Sequence, residues 1–185
     1  MMKKSLLFVL LPAALYGALP GSPAGAAKPV LSDSKSAVLQ CQDRRIELKA
    51  DCLRSDEAAG GICTRQSLTF SDGAGRLLGQ RVFAPLASAA QDGIAPVEEK
   101  VSEVACVATA RGAKYIVARM DNGGNCDRCE WVEVFGWDGA AVGSDRDKKK
   151  RNAQVTEASQ AAFGDDARKI IRKADWNGFY RTGVK

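Results

Sequence analysis

Cys126 and Cys129 stand two residues apart in Asn122–Trp131, NGGNCDRCEW. CxxC is the spacing of zinc sites and of thiol–disulfide enzymes, and it also suits a short structural clip. Zinc needs two further ligands. The chain has no histidine and no second CxxC to supply them, so neither a metal nor any other cofactor is expected. A redox CxxC places its first thiolate at a helix N-terminus, whose dipole favours the charged sulfur. Here the motif runs into EWVEVFGW, Glu130–Trp137, which reads as a strand. Asp127 and Glu130 also oppose a thiolate, with Arg128 alone favouring it. A structural Cys126–Cys129 disulfide is therefore the preferred reading, and a thiol–disulfide oxidoreductase is the alternative.

The lack of histidine also removes Ser-His-Asp and Cys-His hydrolases. Ser32–Lys35, SDSK, matches the SxxK of serine acyl-enzymes. It sits in what reads as a polar lead-in, with no SDN or KTG downstream, and is a chance match. Among carboxylates, Glu98, Glu99 and Glu103 lie in or beside a long loop, while Glu130 and Glu133 flank Trp131. Glycosidase chemistry needs two carboxylates facing each other across a cleft. Glu133, on the strand face of Trp131 and Phe135, is the one placement that could contribute. Surface charge is the simpler explanation, so no catalytic residue is assigned.

The N-terminus bounds the compartment. Lys3 and Lys4 precede an apolar run from Leu6 to Leu19, and Ala24-Gly25-Ala26 offers a small-x-small cleavage site. This pattern marks residues 1–26 as a secretory signal rather than a membrane span. Export to a bacterial periplasm, or beyond it, follows as an expectation and argues against nucleic acid as a partner. An even number of cysteines in an exported chain reads first as disulfides. With Cys126–Cys129 set apart, the other four allow three connectivities. Cys52 and Cys63 flank one hairpin loop, so pairing them would close it and let Cys41–Cys106 tie the first strand to the later part of the sheet. A Cys41–Cys52 bridge is disfavoured because the short turn near Asp43 brings Cys41 close to Ile46.

Residues 27–144 read as one disulfide-stabilised domain, mainly β. In RRIELKADCL, Arg44–Leu53, Ile46, Leu48, Ala50 and Cys52 share one face and charged residues the other, the period of a half-buried strand. AVLQCQ, SLTFS, RLLGQRVFA, VSEVACVATA and KYIVARM give further strands, separated by turn signals such as Asp72-Gly73. An antiparallel sheet of hairpins is expected, as a sandwich or an open barrel, with Pro85–Lys100 a long irregular loop. LTFSDGAGRLLG and EVFGWDGAAVG echo each other, but turn chemistry accounts for matches this short.

Residues 145–185 differ. They hold 11 Lys/Arg against 6 Asp/Glu, whereas residues 27–144 hold 14 against 16. Much of that excess lies in Arg146–Arg151, RDKKKR, read as a solvated linker or else a contact for an acidic partner or anionic surface. From Thr156 to Trp176 the pattern turns helical, with Phe163, Ala167, Ile170, Ile171 and Ala174 on one stripe. Asp165 or Asp166 can cap it and Asn177-Gly178 can end it. A C-terminal helix packed on the sheet is expected.

In signal, size, disulfides and a loop-bearing sheet, the chain resembles bacterial periplasmic inhibitor and immunity proteins. Those proteins neutralise cell-wall-degrading enzymes by inserting a loop into the active-site cleft. The resemblance implies a non-enzymatic protein that binds and blocks a protein partner such as a peptidoglycan hydrolase or amidase. The hairpin loop has suitable chemistry: Gly123 and Gly124 allow a sharp tip, and Asn122, Asn125, Asp127 and Arg128 offer hydrogen bonds and charge. Trp131 would anchor a contact at its base. A small-ligand or envelope-binding module, with its ligand inside the sheet, is the remaining alternative.

Overall fold

The computed structural model describes residues 32–53, 62–90, 93–124, 129–165 and 167–180; the expected signal segment lies outside them. Two antiparallel meanders make two sheets. In the first, β1 (Ser32–Cys41), β2 (Arg44–Leu53), β3 (Ile62–Asp72) and β4 (Leu77–Phe83) lie in sequence order. In the second, β5 (Lys100–Ala108), β6 (Lys114–Asp121), β7 (Glu130–Gly136) and β8 (Ala141–Ser144) do the same, and β9 (Ile170–Asp175) adds to the free edge of β5. The fold is a sandwich of sheets rather than a closed barrel, mainly β as the alternation requires. Ser32–Lys35, expected as a lead-in, forms the start of β1, and the Lys35 ammonium is engaged with the Phe179 carbonyl.

Alternation decides what each face does. Ile46, Leu48, Leu68, Phe70 and Phe83 of the first sheet meet Val104, Ile116, Met120, Trp131 and Phe135 of the second in one buried core. Two contacts join the meanders strand to corresponding strand. Cys41 of β1 is bonded to Cys106 of β5, and the ring of Phe70 in β3 lies 4.6 Å from that of Phe135 in β7. Both pairs have the same separation in sequence. The two echoing segments thus occupy the third-to-fourth-strand hairpins of two equivalent halves. Cys52–Cys63, paired across β2 and β3, completes the connectivity of these four cysteines, one of the three that the sequence leaves open.

The glycines of the echo also have a packing role. Gly79 of β4 lies against Gly139 in the β7–β8 turn, and a Cβ on Gly79 would overlap the Gly139 carbonyl oxygen. Gly139 itself has φ +81°, which glycine adopts without strain.

The second sheet has a covered outer face. Ala105, Val107, Tyr115, Val117, Val132 and Val134 lie beneath α1 (Ala153–Phe163), which buries Val155, Ala158, Ala161 and Ala162 against them. This helix is shorter and earlier than the sequence pattern suggests. Asn152 caps it by accepting from the Val155 N–H, and the backbone leaves helical geometry at Gly164. Ile170–Asp175, expected within the helix, is β9. The unpaired edge of β5 offers its backbone groups a ladder, and adjacent β-branched Ile170 and Ile171 suit a strand. Ile171 and Ala174 still face the core as anticipated, but from a strand.

Two stability predictions follow from this packing. Loss of Cys41–Cys106, which closes 65 residues, should cost about 4 kcal/mol, and loss of Cys52–Cys63 about 3 kcal/mol, on loop-entropy grounds. Urea unfolding of the two Cys→Ala pairs checks this, and an inverted order would contradict it. Gly79→Ala should cost roughly 1–3 kcal/mol through overpacking. Gly178→Ala, where a Cβ meets nothing within 4 Å, should fall within about 0.5 kcal/mol of the parent.

Candidate binding site

The two ends of the sandwich are built differently. At one end the strands are joined by tight connections: Gln42-Asp43, the Asp72–Arg76 turn, the Thr109–Ala113 turn and the Gly136–Ala140 turn. Asp72 organises one of them, accepting from the Ala74 and Arg76 N–H groups. The three long strand-to-strand loops leave from the opposite end: Leu53 to Ile62, Phe83 to Lys100 and Asp121 to Glu130. The connection from Phe163 of α1 enters β9 at the tight-turn end, where Ile170 pairs with Val107. Loops gathered at one end of a stiff sandwich are the usual arrangement of a binding surface.

The hairpin carrying the CxxC belongs to this end. Its neck is fixed by a hydrogen bond from the Asn122 N–H to the Cys129 carbonyl, 3.1 Å. The Gly123 N–H donates to Asp121 and the Gly124 N–H to Asn122. Gly123 has φ +69°, and a Cβ on Gly124 would stand 2.6 Å from the Cys129 sulfur. Both glycines are therefore dictated locally. Asn125, Cys126, Asp127 and Arg128 lie outside the described residues. Cys129 is disulfide-bonded, buried, and followed at once by β7 rather than by a helix. The helix that favours a redox thiolate at the first cysteine would run through this residue, and here a strand follows instead.

Trp131 is not the exposed anchor that its position beside the loop suggested. It is 3% exposed, because strand alternation turns it into the core. Its indole N–H points to Glu133, and the Arg146 guanidinium stacks on its ring at 3.8 Å. Glu133, the carboxylate of interest for glycosidase chemistry, is committed to Arg81 of β4 through both oxygens, at 3.1 and 3.3 Å. Arg81 also donates to Glu99, whose second oxygen pairs with Arg146 at 2.6 Å. Burial alone would lower the Arg81 pKa, but Glu133 and then Glu99 raise it overall. This four-membered network ties both sheets, the Phe83–Lys100 connection and the basic segment together. Nothing local in the sequence marks it, since its members come from four separate segments.

The described parts of the Phe83–Lys100 connection and of the C-terminal tail are also pinned. The Phe83–Lys100 connection is bridged by the Leu86 N–H to the Pro96 carbonyl and contains the short 3₁₀ turn Ala87–Ala89. The Val97 N–H donates to the Cys63 carbonyl and the Val97 side chain enters the core. Gln66, buried, holds the Glu99 carbonyl through its amide nitrogen. The chain after β9 folds over the same end. The Trp176 N–H reaches the Ser102 carbonyl, and the Val101 N–H donates to the Tyr180 hydroxyl at 2.8 Å.

Beside these loops the outer face of the first sheet is bare. An open depression of about 590 Å³ is lined by Ser34, Ser36, Lys49, Asp51, Arg65 and Val82, among others. Ser34 is bonded to Asp51 and Asp51 paired with Arg65 within it, but most of its lining surface is apolar, and Val82 is 61% exposed. Among the described residues, no group of three or more His, Cys, Asp or Glu side chains could hold a metal ion. No helix there is long and apolar enough to cross a membrane. The paired cysteines fit an oxidising compartment.

No protein-family model, no curated protein and no solved structure matches the chain.

Tyr180 supplies a pH prediction. Burial raises its phenol pKa, with Asp121 nearby adding to the rise and the Val101 bond opposing it. With the folded value above the unfolded one of about 10, the contribution to stability is complete below pH ~10 and is lost as pH rises further. Tyr180→Phe strands the buried Val101 N–H and should cost roughly 1–3 kcal/mol at neutral pH. It should also flatten the alkaline loss of stability, measured by urea unfolding from pH 7 to 11; an unchanged alkaline slope would refute this role.

Proposed function

We propose that this is an exported, non-enzymatic binding protein that blocks a partner protein with the loop end of its sandwich. The periplasm is the compartment of choice, given the signal-like residues 1–26. The observation that carries the reading is the contrast between the ends. At one end consecutive strands are joined by tight turns, whereas the other carries the three long strand-to-strand loops, with described residues held by hydrogen bonds, a disulfide and an ion network. A loop already held in one conformation loses less entropy on binding. The hairpin segment Asn122–Arg128 is the element offered to the partner, with the described bonds fixing its neck at Asn122, Gly123 and Gly124. Trp131 contributes from behind, by holding Arg146 and the neck in place rather than by contact.

A peptidoglycan hydrolase or amidase is the partner class consistent with the resemblance to envelope inhibitor and immunity proteins. The oxidoreductase alternative has less support, because Cys129 leads directly into β7 rather than into a helix.

Capture from periplasmic extract on immobilised protein tests the reading. A binding partner should be retained by the parent and lost when Asn122–Arg128 is replaced by a neutral linker of equal length, with the unfolding transition retained. Unchanged capture by the rebuilt protein would remove the hairpin from the interface. Insulin-reduction turnover that disappears in a Cys126→Ser, Cys129→Ser variant would instead establish the redox alternative.

A further inference from the structure

The basic run Arg146–Arg151 separates into two kinds of residue. Arg146 is structural, stacked on Trp131 and paired with Glu99. Arg151 donates to the Asp145 carbonyl, and Asp145 in turn accepts from the Val132 N–H. Asp147 shapes the turn: its carbonyl accepts from the Lys150 and Arg151 N–H groups, and its carboxylate from the Lys149 N–H. The turn is thus fixed to β7 and to the loop end.

Lys148, Lys149 and Lys150 are different. All three are exposed, and none of their ammonium groups has a partner among the described residues. They precede the N-terminus of α1, whose first turn contains no acidic residue. Positive charge there opposes the helix dipole, and three neighbouring cations repel one another. The fold gains nothing from these charges, and a local rule broken without structural return points to a role outside the fold.

We propose that Lys148–Lys150 form an electrostatic docking surface for an anionic lipid surface. Residue type favours lipid over an acidic protein. Protein interfaces are depleted in lysine and enriched in arginine and aromatic residues, yet here Arg146, Arg151 and Trp131 are committed to contacts within the fold. Three mobile point charges on flexible stems match a fluid array of phosphates, which requires no fixed stereochemistry. Bound in this way, the protein would hold its loop end close to the envelope surface. The proposal does not depend on what the hairpin binds.

The test is co-sedimentation of the full chain with vesicles of phosphatidylglycerol mixed with phosphatidylcholine, and with vesicles of phosphatidylcholine alone. The neutral vesicles report any contribution from the apolar residues near the N-terminus. Binding should be much stronger to the anionic vesicles and should weaken as salt is added. The variant K148Q/K149Q/K150Q should partition on the order of a hundredfold more weakly with no loss of stability in urea, while K148R/K149R/K150R should bind as the parent does. Equal binding to both vesicle types, or anionic binding unchanged in the glutamine variant, would overturn the proposal. So would binding to soluble polyglutamate without binding to anionic vesicles, which would assign the lysines to an acidic protein.

Discussion

Most of the structure depends on one meander being held face to face with the other. Each sheet alone would expose an apolar face, and a four-stranded meander has no other way to bury it. Phe70 against Phe135 fills the centre of the shared core, and the Cys41–Cys106 bond restrains the halves near β1 and β5. Gly79 and Gly139 let the backbones approach at the opposite side, where a single methyl group would intervene. The two halves share a plan and differ in their outer faces: that of the second sheet is apolar and covered by α1, that of the first bare.

The described residues at the loop end are held in place by this packing. The Arg81–Glu133–Glu99–Arg146 network spans both sheets and two connections. Its members are only partly buried, so solvent screening keeps each pair modest in energy. What it supplies is relative position: the basic turn, the base of the CxxC hairpin and the Phe83–Lys100 segment are all referenced to the same guanidinium groups. The tail Trp176–Tyr180 adds a further restraint from β5.

The strands were legible because each inward residue alternates with a polar one, as in Ile46, Leu48, Ala50 and Cys52 of β2. Hairpin geometry disfavoured Cys41–Cys52 and set Cys52 and Cys63 on either side of one loop, but the connectivity stayed open until the sheets placed Cys41 beside Cys106. The helix was misplaced because its buried face is made of small residues, Val155, Ala158, Ala161 and Ala162, which contrast weakly with their neighbours. Ile170 and Ile171 gave a stronger apolar signal of ambiguous period, and only the free edge of β5 resolves it as a strand. At the candidate site, Gly123 and Gly124 were recognisable as tip residues. The inward turn of Trp131 and the division of RDKKKR into fixed arginines and free lysines were not, since both depend on partners such as Glu99 and Glu133 from distant segments.

The nesting of one disulfide inside the other has a consequence for how the chain matures. Synthesis releases Cys41, Cys52 and Cys63 well before Cys106, so the first thiols to coexist include the wrong partners for Cys41. Oxidation in order of appearance would join Cys41 to Cys52 and leave Cys63 and Cys106 to each other. The native bonds require Cys41 to stay reduced until the second meander exists, or require thiol exchange afterwards. The link that holds the halves together is therefore also the one whose formation must be delayed, which makes the timing of oxidation as much a part of this fold as its packing.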